Sequence, residues 1–240
     1  MRDLVRYQRA LKGIEGASFE RVGASGLLKG ISREDWFALA RGAVDGGDVS
    51  VREGFRGFVD ELDGREGRWG IVSVNFCEDW IRSVLATAIG KDKSERVAIH
   101  ANQPGEDGML RGYGGREVFC TSDGKLEALK SMIEMLRGGS GSGIGSGDKV
   151  VYVGDSSTDI ECLLYDDVDG IVMVKEDGGN KLLDMLESIG ESDIEERFKY
   201  LKTVRSIRNY DHEWKKRNGK RMWFARNFED ILDSQLFGKS

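Results

Sequence analysis

The stretch VVYVGDSSTDIECLL, residues 150–164, is where chemistry is easiest to place. An apolar run ending in Gly154 and Asp155 reads as a buried strand that delivers a carboxylate to the end of a sheet. Asp159 follows one turn later, at the start of the next helix. Two carboxylates across a strand-to-helix turn can face one hard cation such as Mg²⁺, which takes oxygen ligands and often shares them with a phosphate. The same residues also suit a helix cap, because Asp and Ser accept hydrogen bonds from the unpaired N–H groups of a first turn. On this stretch alone both readings stay open.

Two earlier places add groups of complementary chemistry. In IVSVNFCEDW, Ser73 and Asn75 close a strand over 69–74, and a helix over 79–88 begins just beyond them, near Glu78 or Asp79. A hydroxyl beside the exposed amides of a helix N-terminus can seat a phosphate oxygen, whereas a serine that only forms the turn is the plainer alternative. In TSDGKLEALK, Lys125 opens a helix over 125–136, where the helix dipole opposes a positive charge. A nearby anion would explain the lysine, a solvated surface position would also do so, and Lys130 is the fallback one turn on. His100 and Asn102, after a strand over 97–101, are read as structural. Cys77 has no histidine close in sequence and is not read as a nucleophile.

The elements that must hold these groups alternate from Gly54 onward. A helical face of Phe55, Phe58, Val59 and Leu62 leads to the strand at 69–74, and strands over 149–153 and 170–174 flank a helix over 158–164. Helices between short apolar strands predict a Rossmann-like parallel sheet covered on both faces, with ligands beyond the carboxyl ends of the strands. Residues 1–53 lack a strand pattern and predict a small helical unit: Leu4, Tyr7, Leu11 and Ile14 recur at helical spacing, Ser32 and Asp35 mark a second start, and the glycines at 23, 26 and 30 break the pattern. Two helices are expected over 181–209, then a strand over 221–224 and a helix over 228–236. The run GGSGSGIGSG at 138–147 follows a helix and precedes a strand, the reverse of a phosphate-binding loop, and reads as a linker.

In this order, a hydroxyl strand, a lysine helix and then GDSSTD, the chain resembles the second, third and fourth motifs of the haloacid dehalogenase superfamily. IVSVNFCEDWI and VAIHANQ look most like its phosphoserine phosphatase-like branch, fungal members in particular, with similarity over roughly residues 54–175. The resemblance implies a Mg²⁺-dependent phosphomonoesterase core over 54–240 and a cap-like unit over 1–53. Ser73 and Asn75 would bind the phosphoryl group, Lys125 would neutralise it, Asp155 would ligate Mg²⁺, and Asp159 would support or join that coordination. The family's first motif, DxDxT, supplies the attacking aspartate, and no such motif precedes the helical unit here. DELDG at 60–64 lies on a helix and DDVDG at 166–170 comes too late in the order. The expectation is therefore a central strand missing between those ending at Ser73 and Asp155, and a phosphatase that is truncated and inactive as written. The alternative is a non-catalytic relative that binds a phosphorylated small molecule or a protein.

Bulk properties narrow the partners. A net charge of −6 on 240 residues offers no broad positive field, which disfavours nucleic acid. Cys77, Cys120 and Cys162 are too scattered for a disulfide framework or a zinc site, and no run of residues has the length and apolarity of a membrane span. A cytoplasmic protein is the expectation.

Overall fold

The computed structural model describes residues 2–138, 149–174, 182, 205–206, 222–234 and 236. The N-terminal part is helical: α1 (Arg2–Ala10), α2 (Lys12–Ala24) and α3 (Arg33–Asp45). The start of α3 is set by Ser32, whose Oγ accepts from the Asp35 N–H while the Asp35 carboxylate accepts from the Ser32 N–H, a reciprocal cap. The expected apolar stripe does not face inward throughout, since Tyr7 and Ile14 are exposed. Instead α2 buries Phe19 and Gly23. Gly23 lies within the helix rather than breaking it, and a Cβ there would stand 3.3 Å from the backbone of Met109 and Leu110.

From α4 (Phe55–Gly64) the chain alternates: β1 (Gly70–Val72), α5 (Glu78–Ile89), α6 (Lys91–Glu95), β2 (Ala98–His100), the short antiparallel pair β3 (Gln103–Pro104) and β4 (Leu110–Arg111), α7 (Ser122–Gly138), β5 (Val150–Gly154), α8 (Ile160–Leu163) and β6 (Val168–Met173). After β7 (Arg205–Ser206) come β8 (Met222–Ala225) and α9 (Phe228–Leu232). Two corrections follow. Arg205–Ser206 pairs with β8, inside a segment expected to be helical, and α7 begins at Ser122, so Lys125 ends the first turn instead of opening it. The remaining residues expected to form the two helices, except Leu182, lie outside the described residues, as does the glycine-rich run beyond Gly138.

The protein is α/β, and its parallel strands form two separate sheets. One is β1 beside β2; the other has the order β5-β6-β8-β7. In the larger sheet alternate residues feed opposite cores, as a period of two requires. Tyr152, Val168 and Val172 join Leu129, Ile133, Ile160 and Leu163 from α7 and α8 on one face, while Ile171, Met173 and Trp223 meet Ile231 of α9 on the other. All six residues of β6 are buried, whereas β1 and most of β5 are only half-buried. Among the described residues, no strand pairs with the outer edge of β1 or of β5.

One helix spans both sheets. A Cβ at Gly70 would meet Met132 Sδ at 2.5 Å, His100 Nδ1 lies 3.0 Å from the Ala128 carbonyl, and Leu129 and Ile133 pack into the core below β5. Passing from Met132 to Ala128, α7 therefore runs from the beginning of β1 to the end of β2. Its next turn toward the N-terminus, with Lys125, reaches the carboxyl rim. The helical unit is fastened to this frame by the Arg9 guanidinium, which binds Glu161 on α8, and by Trp36 of α3 edge-on to Trp80 of α5. Among the described residues no helix is long and apolar enough to cross a membrane.

Candidate functional site

Asp159 is the hub of the carboxyl rim. Its Oδ1 accepts from the Lys125 ammonium at 2.5 Å and the Tyr152 hydroxyl at 2.5 Å. Its Oδ2 accepts from the backbone N–H of Asp155 at 3.2 Å, the backbone N–H of Ser156 at 2.9 Å and the Ser156 hydroxyl at 2.7 Å. Burial alone would raise the pKa of this carboxyl, but the Lys125 charge and these hydrogen bonds outweigh it and hold the group below its ordinary value. Tyr152, buried beneath the same carboxylate, is pushed well above the usual phenol range by burial first and by the Asp159 charge next. Gly154 makes the turn possible, because a Cβ there would lie 2.6 Å from Asp159 Cβ and Cγ.

This arrangement revises the reading of the two carboxylates. The helix-cap alternative applies to Asp159, which closes a reciprocal cap with Ser156. Its two oxygens serve five donors, so it positions Lys125 and the turn rather than ligating a metal. Asp155 points its carboxylate outward, with the side chain 59% exposed, and meets the Arg52 guanidinium at 3.3 Å. Among the described residues, no group of three or more His, Cys, Asp or Glu side chains is clustered to hold a metal ion. Mg²⁺ is usually held by one or two carboxylates together with waters and a substrate phosphate. Of the expected pair only Asp155 presents its carboxylate outward, and there it already meets a cation, so the pair does not fit the expected ion.

Ser73 stands at the end of β1, its N–H donating to the His100 carbonyl at 3.0 Å. Its Oγ accepts from the Asn75 N–H at 3.2 Å, an arrangement that leaves the hydroxyl proton to be donated elsewhere. Asn75 turns its side-chain oxygen to the Cys77 N–H at 3.0 Å, so it shapes the turn before α5. The structure thus joins Lys125, Asp159 and Asp155 directly and puts Ser73 on the same rim, on the neighbouring sheet. Lys130 is half-buried and pairs with Glu127.

The residues read as structural have structural partners. Asn102 is fully buried; its amide donates to the Val74, Asn75 and Phe119 carbonyls and its oxygen accepts from the Phe119 N–H. His100 stacks on Tyr113 with centroids 4.1 Å apart, and burial holds its pKa below the ordinary value. Cys77 caps α5, accepting from the Trp80 N–H, and burial pushes its thiol up to about 12, so it is no thiolate at neutral pH. The two rejected lookalikes are also accounted for: Asp60 and Asp63 hold Lys93 at 2.7 Å each, and Asp169 is buried within β6 opposite Lys149.

Sequence reasoning missed Tyr152 and Arg52. Tyr152 carried a legible sign, a hydroxyl two residues before the glycine of the turn in an otherwise aliphatic strand. Arg52 carried none, because its partner lies 103 residues away. A cavity of about 320 Å³ lined by Trp69, Arg68, Lys93 and Arg96 opens at the beginning of β1 and β2, opposite the rim. It lies at the opposite end of the strands from Lys125, Asp155 and Asp159.

The chain is similar to Cold tolerance protein 1 of Saccharomyces cerevisiae, with 22% identity over 192 residues, 78% of this chain. It spans 59% of the length of that relative. No family model and no solved structure matches the chain.

Proposed function

We propose that this chain carries the phosphoryl-binding part of a phosphohydrolase site of haloacid dehalogenase type and binds a phosphorylated small molecule at the rim formed by Ser73, Lys125 and Asp155. The observation that carries the reading is the Lys125–Asp159 pair, both side chains buried, at the carboxyl rim of parallel strands. Removing two charges from water is costly, and such a pair adds little net stability compared with apolar packing. A cation fixed there, where open α/β sheets receive their ligands, is in the place to neutralise an anion. Ser73 supports the same reading, with its hydroxyl on the same rim. Among the described residues no strand joins β1 to β5, and in the resemblance the strand bearing the family's nucleophile belongs between them. Residues 1–53 are in this reading a cap beside the site.

Hydrolysis through an aspartyl-phosphate requires an attacking carboxylate. Asp159 is saturated by its donors and Asp155 is engaged by Arg52, so neither is set to attack. The 240-residue polypeptide is therefore expected to bind phosphate esters without turning them over. Calorimetric titration with inorganic phosphate, and p-nitrophenyl phosphate hydrolysis followed with and without Mg²⁺, test both halves. Binding that weakens in Ser73→Ala, with no turnover above buffer, is expected. Sustained Mg²⁺-dependent hydrolysis by this polypeptide would refute the lack of turnover expected here, and a folded protein that takes up no phosphate would refute the site.

A further inference from the structure

Arg52 reaches the ends of three strands at once. Its Nη1 donates to the Val174 carbonyl at 3.1 Å, just past β6, and to the Arg226 carbonyl at 3.4 Å, just past β8; its Nη2 meets Asp155 beyond β5 at 3.3 Å. The backbone that presents it is locked in place. The Glu53 carbonyl accepts from the Phe228 N–H at 3.0 Å, and Gly54, at φ +76°, lies so close to α9 that a Cβ would be 2.6 Å from the Glu229 nitrogen. A guanidinium has five N–H donors, and these contacts use three, two on Nη1 and one on Nη2. The charge is thus held against the outward carboxylate of Asp155, while Asp159 is closed to a metal by its own donors.

We infer that Arg52 is the cation that stands against Asp155 where a divalent ion would otherwise bind, so that phosphate is taken up without Mg²⁺. The inference rests on the phosphate reading above and deepens it: the ligand is a phosphate dianion met by Lys125 and by the remaining donors of Arg52, a group suited to phosphate through its planar fork. Carboxylate and phosphate then share one guanidinium. A divalent ion at Asp155 Oδ2 would compete with the Arg52 guanidinium for that oxygen.

The test is calorimetric titration of inorganic phosphate into the full chain in EDTA and in excess Mg²⁺, for wild type, Arg52→Gln and Arg52→Lys, with circular dichroism to confirm folding. Wild type should bind with affinities equal within about twofold in the two buffers. Arg52→Gln should weaken binding in EDTA by about tenfold or more, the effect of one charge-assisted hydrogen bond, and recover part of it when Mg²⁺ gains Asp155. Arg52→Lys should retain the independence from Mg²⁺ at reduced affinity, a result that a purely structural arginine would not give. Phosphate binding by wild type that needs Mg²⁺ overturns the inference and leaves the phosphate reading standing, as does equal binding by wild type and a folded Arg52→Gln in EDTA. If Arg52→Gln does not fold, the wild-type comparison and Arg52→Lys decide. No phosphate binding by wild type in either buffer overturns the phosphate reading and the inference with it.

Discussion

Replacing Lys125 with methionine keeps most of the side-chain volume and removes the ammonium bound to the Asp159 carboxylate. Lys125 and Asp159 side chains are 9% and 3% exposed, so water cannot substitute for the lost charge. Breaking a buried pair from one side costs about 3–5 kcal/mol, a large part of the stability of an ordinary domain. Four donors remain on Asp159, from Tyr152, Asp155 and Ser156, which points to the lower end of that range. The loss should depend on pH with a definite sign. In the wild type the carboxyl pKa is depressed by folding, so its contribution is present above the unfolded value and fades as pH falls through the folded value. In Lys125→Met the charge that helps offset burial is gone, so the folded pKa rises above that of the wild type and the carboxylate contributes less stability once it is ionised. The variant's deficit should be greatest at neutral pH and shrink in acid. Urea unfolding followed by tryptophan fluorescence, with Trp223 buried in the core, measures this at a series of pH values. A deficit under about 1 kcal/mol at pH 7, or one unchanged between pH 7 and pH 4, would refute the role given to the pair.

Other positions make sharper or simpler demands. Gly154→Ala should cost about 1–3 kcal/mol in the same unfolding assay because its Cβ would collide with Asp159, whereas Gly57→Ala, inside α4 with only an ordinary 3.6 Å contact to Leu232, should be neutral or stabilise by up to about 1 kcal/mol. Asn102→Asp should be more damaging than its size suggests, by about 2 kcal/mol or more, since a carboxylate oxygen would face three carbonyls to which the amide now donates. Iodoacetamide labelling read by mass spectrometry should leave Cys77, Cys120 and Cys162 unmodified in the native protein and modify all three in denaturant, because all are buried with thiol pKa values raised by that burial. Rapid native labelling of Cys77 would contradict its place as the cap of α5.

What the sequence disclosed was whatever local spacing encodes. An apolar strand followed by Gly154 and Asp155 announced a carboxylate at a sheet end, and Ser32 with Asp35 announced a helix start, because both depend on neighbours within a turn. The environment of Asp159 was not legible in the same way: whether a carboxylate faces a metal or is consumed by Lys125 and Tyr152 depends on how α7 lies over β5. Arg52 lay hidden for the same reason. Gly23 looked like a break and is a point of close packing, and Lys125 was expected to open a helix that begins at Ser122. Tyr7 and Ile14 fit a helical stripe yet face solvent, which periodicity alone cannot decide.

Crystals of the chain soaked with tungstate, a tetrahedral oxyanion with strong anomalous scattering, bear most directly on whether this rim receives phosphate. Anomalous density should appear at the carboxyl rim, within hydrogen-bonding reach of the Ser73 hydroxyl and the Lys125 ammonium. Density confined to another part of the molecule, such as the basic cavity beside Trp69 and Arg96, or a rim that stays empty at millimolar anion in well-ordered crystals, would show that these side chains do not form a phosphate site.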